Sequence, residues 1–145
     1  MTATLRRAAL AAATAAVVGS CASSTTLPDS PPVLDVTMRE YSFALDGSVP
    51  EGRVVVRAHN AGTFEHELVL VVLPADYPER TLDQLRSTKR RALATRAYLP
   101  RRAGGASRTF AVELTEGRYA FMCFVPAPDG EPHALKGMTL QFKVD

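Results

Sequence analysis

The stretch YAFMCFVPAPDGEPHALKGM, residues 119–138, decides how the rest of the chain is read. Its first part alternates. Tyr119, Phe121 and Cys123 point the same way in an extended strand, where side chains two apart share a face. With Tyr119 and Phe121 turned to a core, Cys123 lies at the end of a buried strand, shielded from water and close to the loops. The second part cannot stay in a sheet. Pro126, Pro128 and Pro132, with Asp129-Gly130, stiffen an excursion and fold it back. Lys136-Gly137 then turns the chain before Met138 enters a last strand, in which Leu140, Phe142 and Val144 alternate. One loop therefore carries a thiol, an imidazole (His133) and a thioether.

Upstream, strand follows strand. Leu34, Val36 and Met38 share one face, and Tyr41, Phe43 and Leu45 another; a period of two marks half-buried strands. Asp46-Gly47 and Pro50-Glu51-Gly52 are turn signals. Val54, Val55 and Val56 form a β-branched run, closed by Asn60-Ala61-Gly62. His59 is out of step with Val54 and Val56 and is expected to face solvent. Residues 68–73 are apolar throughout, the pattern of a central strand covered on both faces. His66 opens that strand just after a turn, which puts its ring at a loop end. Phe110, Val112 and Leu114 mark another strand, and Glu116-Gly117 the turn after it. No internal repeat is visible. Many short strands with regular turns predict an all-β, antiparallel β-sandwich. Residues 76–105 break the pattern. Thr81-Leu82-Asp83-Gln84 fits a capping box, Leu82, Leu85 and Leu93 give a thin apolar stripe, and one short helix is predicted over 82–96. Gly104-Gly105 then resets the chain.

The chain has 145 residues, room for one core once its first segment is set aside. Residues 1–20 have a positive start (Arg6, Arg7) and an apolar run over 8–18, too short to span a bilayer. The run ends in Val18-Gly19-Ser20-Cys21, which resembles a bacterial lipobox. That resemblance implies a signal peptide over 1–20, lipidation of Cys21, and an exported protein held by lipid at the outer face of a membrane or in the periplasm. Residues 21–32 are small, polar and proline-rich and read as a flexible tether. The domain proper spans 33–145.

Removing Arg6 and Arg7 from the 17 basic residues leaves 15, equal to the 15 acidic ones. A neutral mature chain carries no general nucleic-acid footprint. The charge is uneven, however: residues 76–108 hold nine basic and three acidic side chains. That face is either simply solvated or docks an acidic redox partner or anionic lipid headgroups. The two cysteines have separate roles, so no disulfide is expected.

Taken singly, Cys123 reads as a small buried hydrophobe, His66 and His133 as ordinary strand-edge and loop residues, and Met138 as core filler. Together they read differently. Thiolate and thioether suit Cu(I), and imidazole suits both oxidation states. Cys, two His and a weak axial Met form the ligand set of a blue-copper electron-transfer site. Phe64, Phe124, Val125 and Leu135 are candidates for an apolar collar around the sulfur. One preorganised site per chain favours redox transfer over storage. The alternatives are a lipoprotein that holds Cu(I) as a chaperone or sensor, and a metal-free sandwich used for protein contacts. A Cys–His nucleophilic enzyme is disfavoured, because no oxyanion-hole loop, orienting residue or substrate pocket is readable. No small-molecule substrate is expected.

Residues 60–70 resemble the strand that carries the first ligand histidine in the plastocyanin/azurin (cupredoxin) family. Residues 119–138 resemble that family's Tyr-x-Phe-x-Cys…His…Met loop. The resemblance implies a Greek-key β-sandwich and one copper ion per chain. His66, Cys123 and His133 would be its strong ligands, with Met138 the weak axial one. A monomer that meets a redox protein partner is expected. A group of small exported or lipid-anchored bacterial proteins, usually described as cupredoxin-like, shares the PDG-x-PH-x4-M ending of the loop. The chain departs from the family in three places. Glu67 stands where an Asn commonly follows the first histidine, either to accept a hydrogen bond from the opposite loop or to face solvent. The Cys-to-His gap is longer than in plastocyanin. The segment 76–105 is inserted between ligands.

Overall fold

The structure is a computed structural model that describes residues 30–75, 77 and 93–145. Within these, eight strands follow in order: β1 (Val33–Arg39), β2 (Ser42–Leu45), β3 (Gly52–Asn60), β4 (His66–Leu73), β5 (Ala94–Arg102), β6 (Ser107–Leu114), β7 (Gly117–Met122) and β8 (Thr139–Val144). A single turn of 3-10 helix, His133–Lys136, precedes β8. The strands form two sheets of four, ordered β2-β1-β3-β6 and β5-β4-β7-β8. Neighbours are antiparallel, apart from β1 and β3, which run parallel. The chain changes sheet after β3, β5 and β6, so β3 neighbours β6 and β4 neighbours β7 in Greek-key fashion.

The period-two faces become the core. Leu34, Val36 and Met38 of β1, Val54 and Val56 of β3, Leu68 and Leu70 of β4, and Phe121 of β7 meet between the sheets. Fully burying side chains of this size contributes about 1.5–3 kcal/mol each. The continuous apolar run of β4 has the reason expected for it. Leu68 and Leu70 face inward, while Val69, Val71 and Leu73 pack on the outer side with Ala120, Met122, Leu93 and Ala134. His59 is exposed, with Nδ1 2.8 Å from Ser107 Oγ.

One expectation is corrected. Residues 94–96, the end of the predicted helix, belong to strand β5, which pairs with β4 from Val72↔Ala94 to His66↔Arg102. The capping box is a local signal. The open edge of β4 is a stronger, tertiary demand, since its buried backbone groups need partners. The rest of the predicted helix, Leu93 apart, lies outside the described residues, as do the signal peptide, Cys21 and residues 22–29 of the tether. No helix among the described residues is long and apolar enough to cross a membrane.

Candidate metal centre

Sheet register brings the predicted donors to one end of the sandwich. β4 begins at His66, and Val69 pairs with Met122, the last residue of β7. Met122 in turn pairs with Thr139, the first residue of β8. The start of β4, the end of β7 and the start of β8 therefore coincide. Cys123 follows β7 and is inward by parity, in the same buried cluster as Phe121, Val125 and Met138. His66 is inward by the same parity as Leu68, and it is fully buried.

His133 returns to Cys123 because the intervening residues close on themselves. Pro126 and Pro132 form an antiparallel bridge. Ala127 N–H donates to Glu131 O at 2.8 Å, and Gly130 N–H donates to Ala127 O at 2.8 Å. Gly130, at φ 83°, takes the left-handed position that this tight reversal needs. Two further bonds lock the return: His133 N–H to Val125 O at 2.9 Å and Ala134 N–H to Cys123 O at 2.7 Å. The added length is spent on a small hairpin, not on a wider gap.

The result is a compact group of donors. His66 Nδ1 and His133 Nδ1 are 3.1 Å apart. Cys123 Sγ lies 3.6 Å from His133 Nδ1 and 4.0 Å from His66 Nδ1. All three residues are buried. Metal–nitrogen and metal–sulfur bonds of about 2.0–2.3 Å place neighbouring donors roughly 3.3–3.8 Å apart, and the observed distances bracket that range. Two ring nitrogens this close share at most one proton, so at least one lone pair points into the group. Burial lowers the pKa of both imidazoles and keeps them neutral, the form that binds metal. The nearby His133 adds to the effect at His66, and Lys136 adds to it at His133, while Glu40 acts in the opposite direction on both. Burial likewise raises the Cys123 thiol, against which the backbone amides of Glu67 and Val125 and the charge of Arg101 favour the thiolate.

Several solved structures share this arrangement of strands. Dithionite-reduced auracyanin from Roseiflexus castenholzii superposes with TM-score 0.56 at 20% identity, over 80% of this chain and 98% of that one. Auracyanin A, a "blue" copper protein from Chloroflexus aurantiacus, gives 0.56 at 18% identity, over 80% and 100%. The azurin of Methylomonas sp. strain J gives 0.51 at 14% identity, over 80% and 99%. The chain has the cupredoxin fold. No family model matches its sequence, and no curated protein matches it in sequence.

Within this cupredoxin framework the His66, Cys123 and His133 group fits one type 1 copper ion in size and donor chemistry. Met138 is completely buried in the cluster that holds Cys123. Its N–H donates to His133 O at 3.0 Å, and its carbonyl accepts the Cys123 N–H at 3.3 Å. Glu67 takes the first of its two expected roles. It is 5% exposed and accepts from Phe124 N–H at 3.1 Å and from Tyr98 O–H at 3.1 Å. The loop after β7 is thus fastened to the start of β4 by a carboxylate.

The apolar collar differs from expectation. Val125 does share the cluster of Cys123, and the Phe64 ring lies 6.3 Å from that of His133. Phe124 and Leu135 pack on the outer side of the sheet instead, because residue 124 has the opposite parity to Cys123. Their place beside the site is taken by Tyr41, whose ring stands edge-on to His133 with centroids 5.1 Å apart. Alternation alone placed Tyr41 with Phe43 and gave no sign that a turn would carry it there. Asn60 closes the β-branched run and opens the 60–70 stretch, and the sequence gives no sign of the bonds its side chain makes. It is fully buried, and its Nδ2 donates to Phe64 O and Arg102 O, both at 2.8 Å. Its Oδ1 accepts from Gly62 N–H at 3.0 Å.

Proposed function

We propose that this chain is a one-electron carrier with a mononuclear copper site, exported and held at a membrane by lipid on Cys21. His66, Cys123 and His133 are its strong ligands and Met138 its weak axial ligand. One observation carries the reading: three buried donors of the right kinds converge within 4.8 Å at one end of a cupredoxin fold. A bound copper supplies a reversible one-electron couple, and the protein supplies the rest. Burial excludes water from the sulfur. Cys123 gives up its thiol proton when a cation binds, helped by the Glu67 and Val125 amides. The closed loop limits rearrangement between oxidation states. An open groove of about 280 Å³ lined by Phe64, Glu65, Arg101, Val125, Pro126, Ala127, Pro128 and His133 supports His133 as the end nearest a redox protein partner.

Adding copper to the mature protein should give strong visible absorption at one ion per chain, a reversible voltammetric wave, and neither in Cys123→Ser. Colourless binding of one Cu(I) without such a wave would favour a copper-holding role. No binding at all would leave a metal-free interaction module. Cys21→Ala should release the protein from the membrane fraction.

A further inference from the structure

Among the described residues, Tyr41 is the non-glycine residue with positive φ, at 60°. A bulky side chain is strained there, while Gly or Asn is not. Such strain persists where the surroundings fix it and is a pointer to function. Tyr41 and Glu40 form the turn between β1 and β2, and their side chains reach two different loops. The Glu40 carboxylate accepts from the N–H and hydroxyl of Thr63 and from Phe64 N–H. It sits so close over residue 62 that a Cβ there would lie 2.7 Å from its oxygen, so any larger residue at that position would push the carboxylate aside. The Tyr41 ring meets His133 edge-on at an interplanar angle of 80°. The Lys136 ammonium lies 5.7 Å from the same ring's centroid. One turn therefore grips both the loop that leads into His66 and the segment that bears His133.

We infer that the Glu40-Tyr41 turn is a positioning clasp that holds the His66 and His133 imidazoles at ligand separation before a metal enters. This rests on the reading of His66, Cys123 and His133 as metal ligands. A residue needed only for the turn would be replaced by Asn without consequence for the site, because Asn relieves the backbone. A clasp needs the ring.

The test compares Tyr41→Asn, Tyr41→Phe and Glu40→Ala in the full chain, the last because Gln would keep the one oxygen that accepts all three bonds. In metal-free protein, the alkylation rate of Cys123 by iodoacetamide is followed on its own peptide by mass spectrometry. In copper-loaded protein, the visible band, the spin-resonance splitting and the rate of copper loss to a chelator are followed. Tyr41→Asn should raise both rates about tenfold, the upper end of what one aromatic pair contributes, and shift both spectra. Tyr41→Phe should stay within about twofold of the parent, because the edge-on ring remains. Parent rates and spectra in a folded Tyr41→Asn protein would overturn the clasp. Should Tyr41→Asn not fold, Glu40→Ala decides: faster Cys123 alkylation supports the clasp, and the parent rate refutes it. A parent that takes up no copper would sink the copper reading alone, because the alkylation comparison needs no metal.

Discussion

The two stretches that carry imidazoles to Cys123 are held by opposite means. The backbone of residues 123–138 is closed mainly by its own hydrogen bonds: the hairpin closes through Ala127, Gly130 and Glu131, and its ends are bonded through Cys123, Ala134 and Met138. Residues 61–65 form a shorter loop held from outside. Asn60 pins it from below, the Glu40 carboxylate grips it from another strand pair, and Gly104 packs so tightly on it that a Cβ would lie 2.5 Å from Gly62 O. A long loop with its own hydrogen bonds can thus be placed as well as a short one, since the entropy of extra length grows slowly. A short loop without them inherits its position from the sandwich. Substitutions outside both loops should therefore loosen the backbone of residues 61–65 and spare the backbone of residues 123–138, even where, as at Tyr41, they free a side chain of the latter.

The largest break should come from Asn60→Ala. It leaves Phe64 O, Arg102 O and Gly62 N–H without their partner in a part-buried place, at a cost of about 2–4 kcal/mol. The unfolding midpoint should fall by about 10 °C or more. Amide exchange should quicken at residues 62–66 while Ala134 stays protected. Equal loosening of both loops would show that they are one unit.

Glu67→Ala comes next, because Glu67 joins the two stretches. Phe124 N–H and Tyr98 O–H lose their acceptor, for about 1–3 kcal/mol. Glu67→Gln keeps one carbonyl oxygen and should cost roughly half as much by denaturant titration. If the 123–138 loop is self-held, Ala134 exchange should not change in either variant.

A pH series sharpens the external grip. Hydrogen bonds from Thr63 and Phe64 lower the Glu40 carboxyl from 4.5 to about 2. A depressed folded-state value stabilises the fold above the unfolded pKa, and the gain is lost as pH falls through the folded one. The stability gap between parent and Glu40→Gln should be constant above about pH 5 and close between roughly 4.5 and 2. A gap that does not change with pH would remove Glu40 from the grip.

Much of this was legible in the sequence because it is local or periodic. Alternation named the inner faces of β1, β6, β7 and β8, the apolar run named β4 as central, and parity with Tyr119 and Phe121 turned Cys123 inward. Prolines and Asp129-Gly130 marked the excursion that returns His133. What was not legible depends on partners distant along the chain. Strand β5 exists because β4 has an edge to fill, and nothing in residues 94–102 announces it. Phe124 lost its place near the sulfur to parity, and Tyr41 gained one through a left-handed turn in a sequence without glycine there. For Glu67 the residue was visible but the choice between a bond and solvent was not, since Tyr98 and Phe124 are far from it in sequence.

The smallest expected effect is the strictest check on the self-held loop. Asp129 is exposed and pairs with Lys136 at 2.5 Å, while its other oxygen accepts Glu131 N–H at 3.1 Å. The ion pair lowers the Asp129 carboxyl and raises the Lys136 ammonium, yet solvent and salt screen pairs of this kind. In Asp129→Ala the backbone closures of the hairpin remain, and Lys136 keeps Glu131 at 3.7 Å. The unfolding midpoint should therefore not move measurably at moderate salt, and the exchange of the Ala134 amide should match the parent. A loop that opened on loss of this one surface pair would be held by its charges and not by its backbone. The Cys123 side would then depend on outside contacts as the His66 side does, and the contrast between the two stretches would fail.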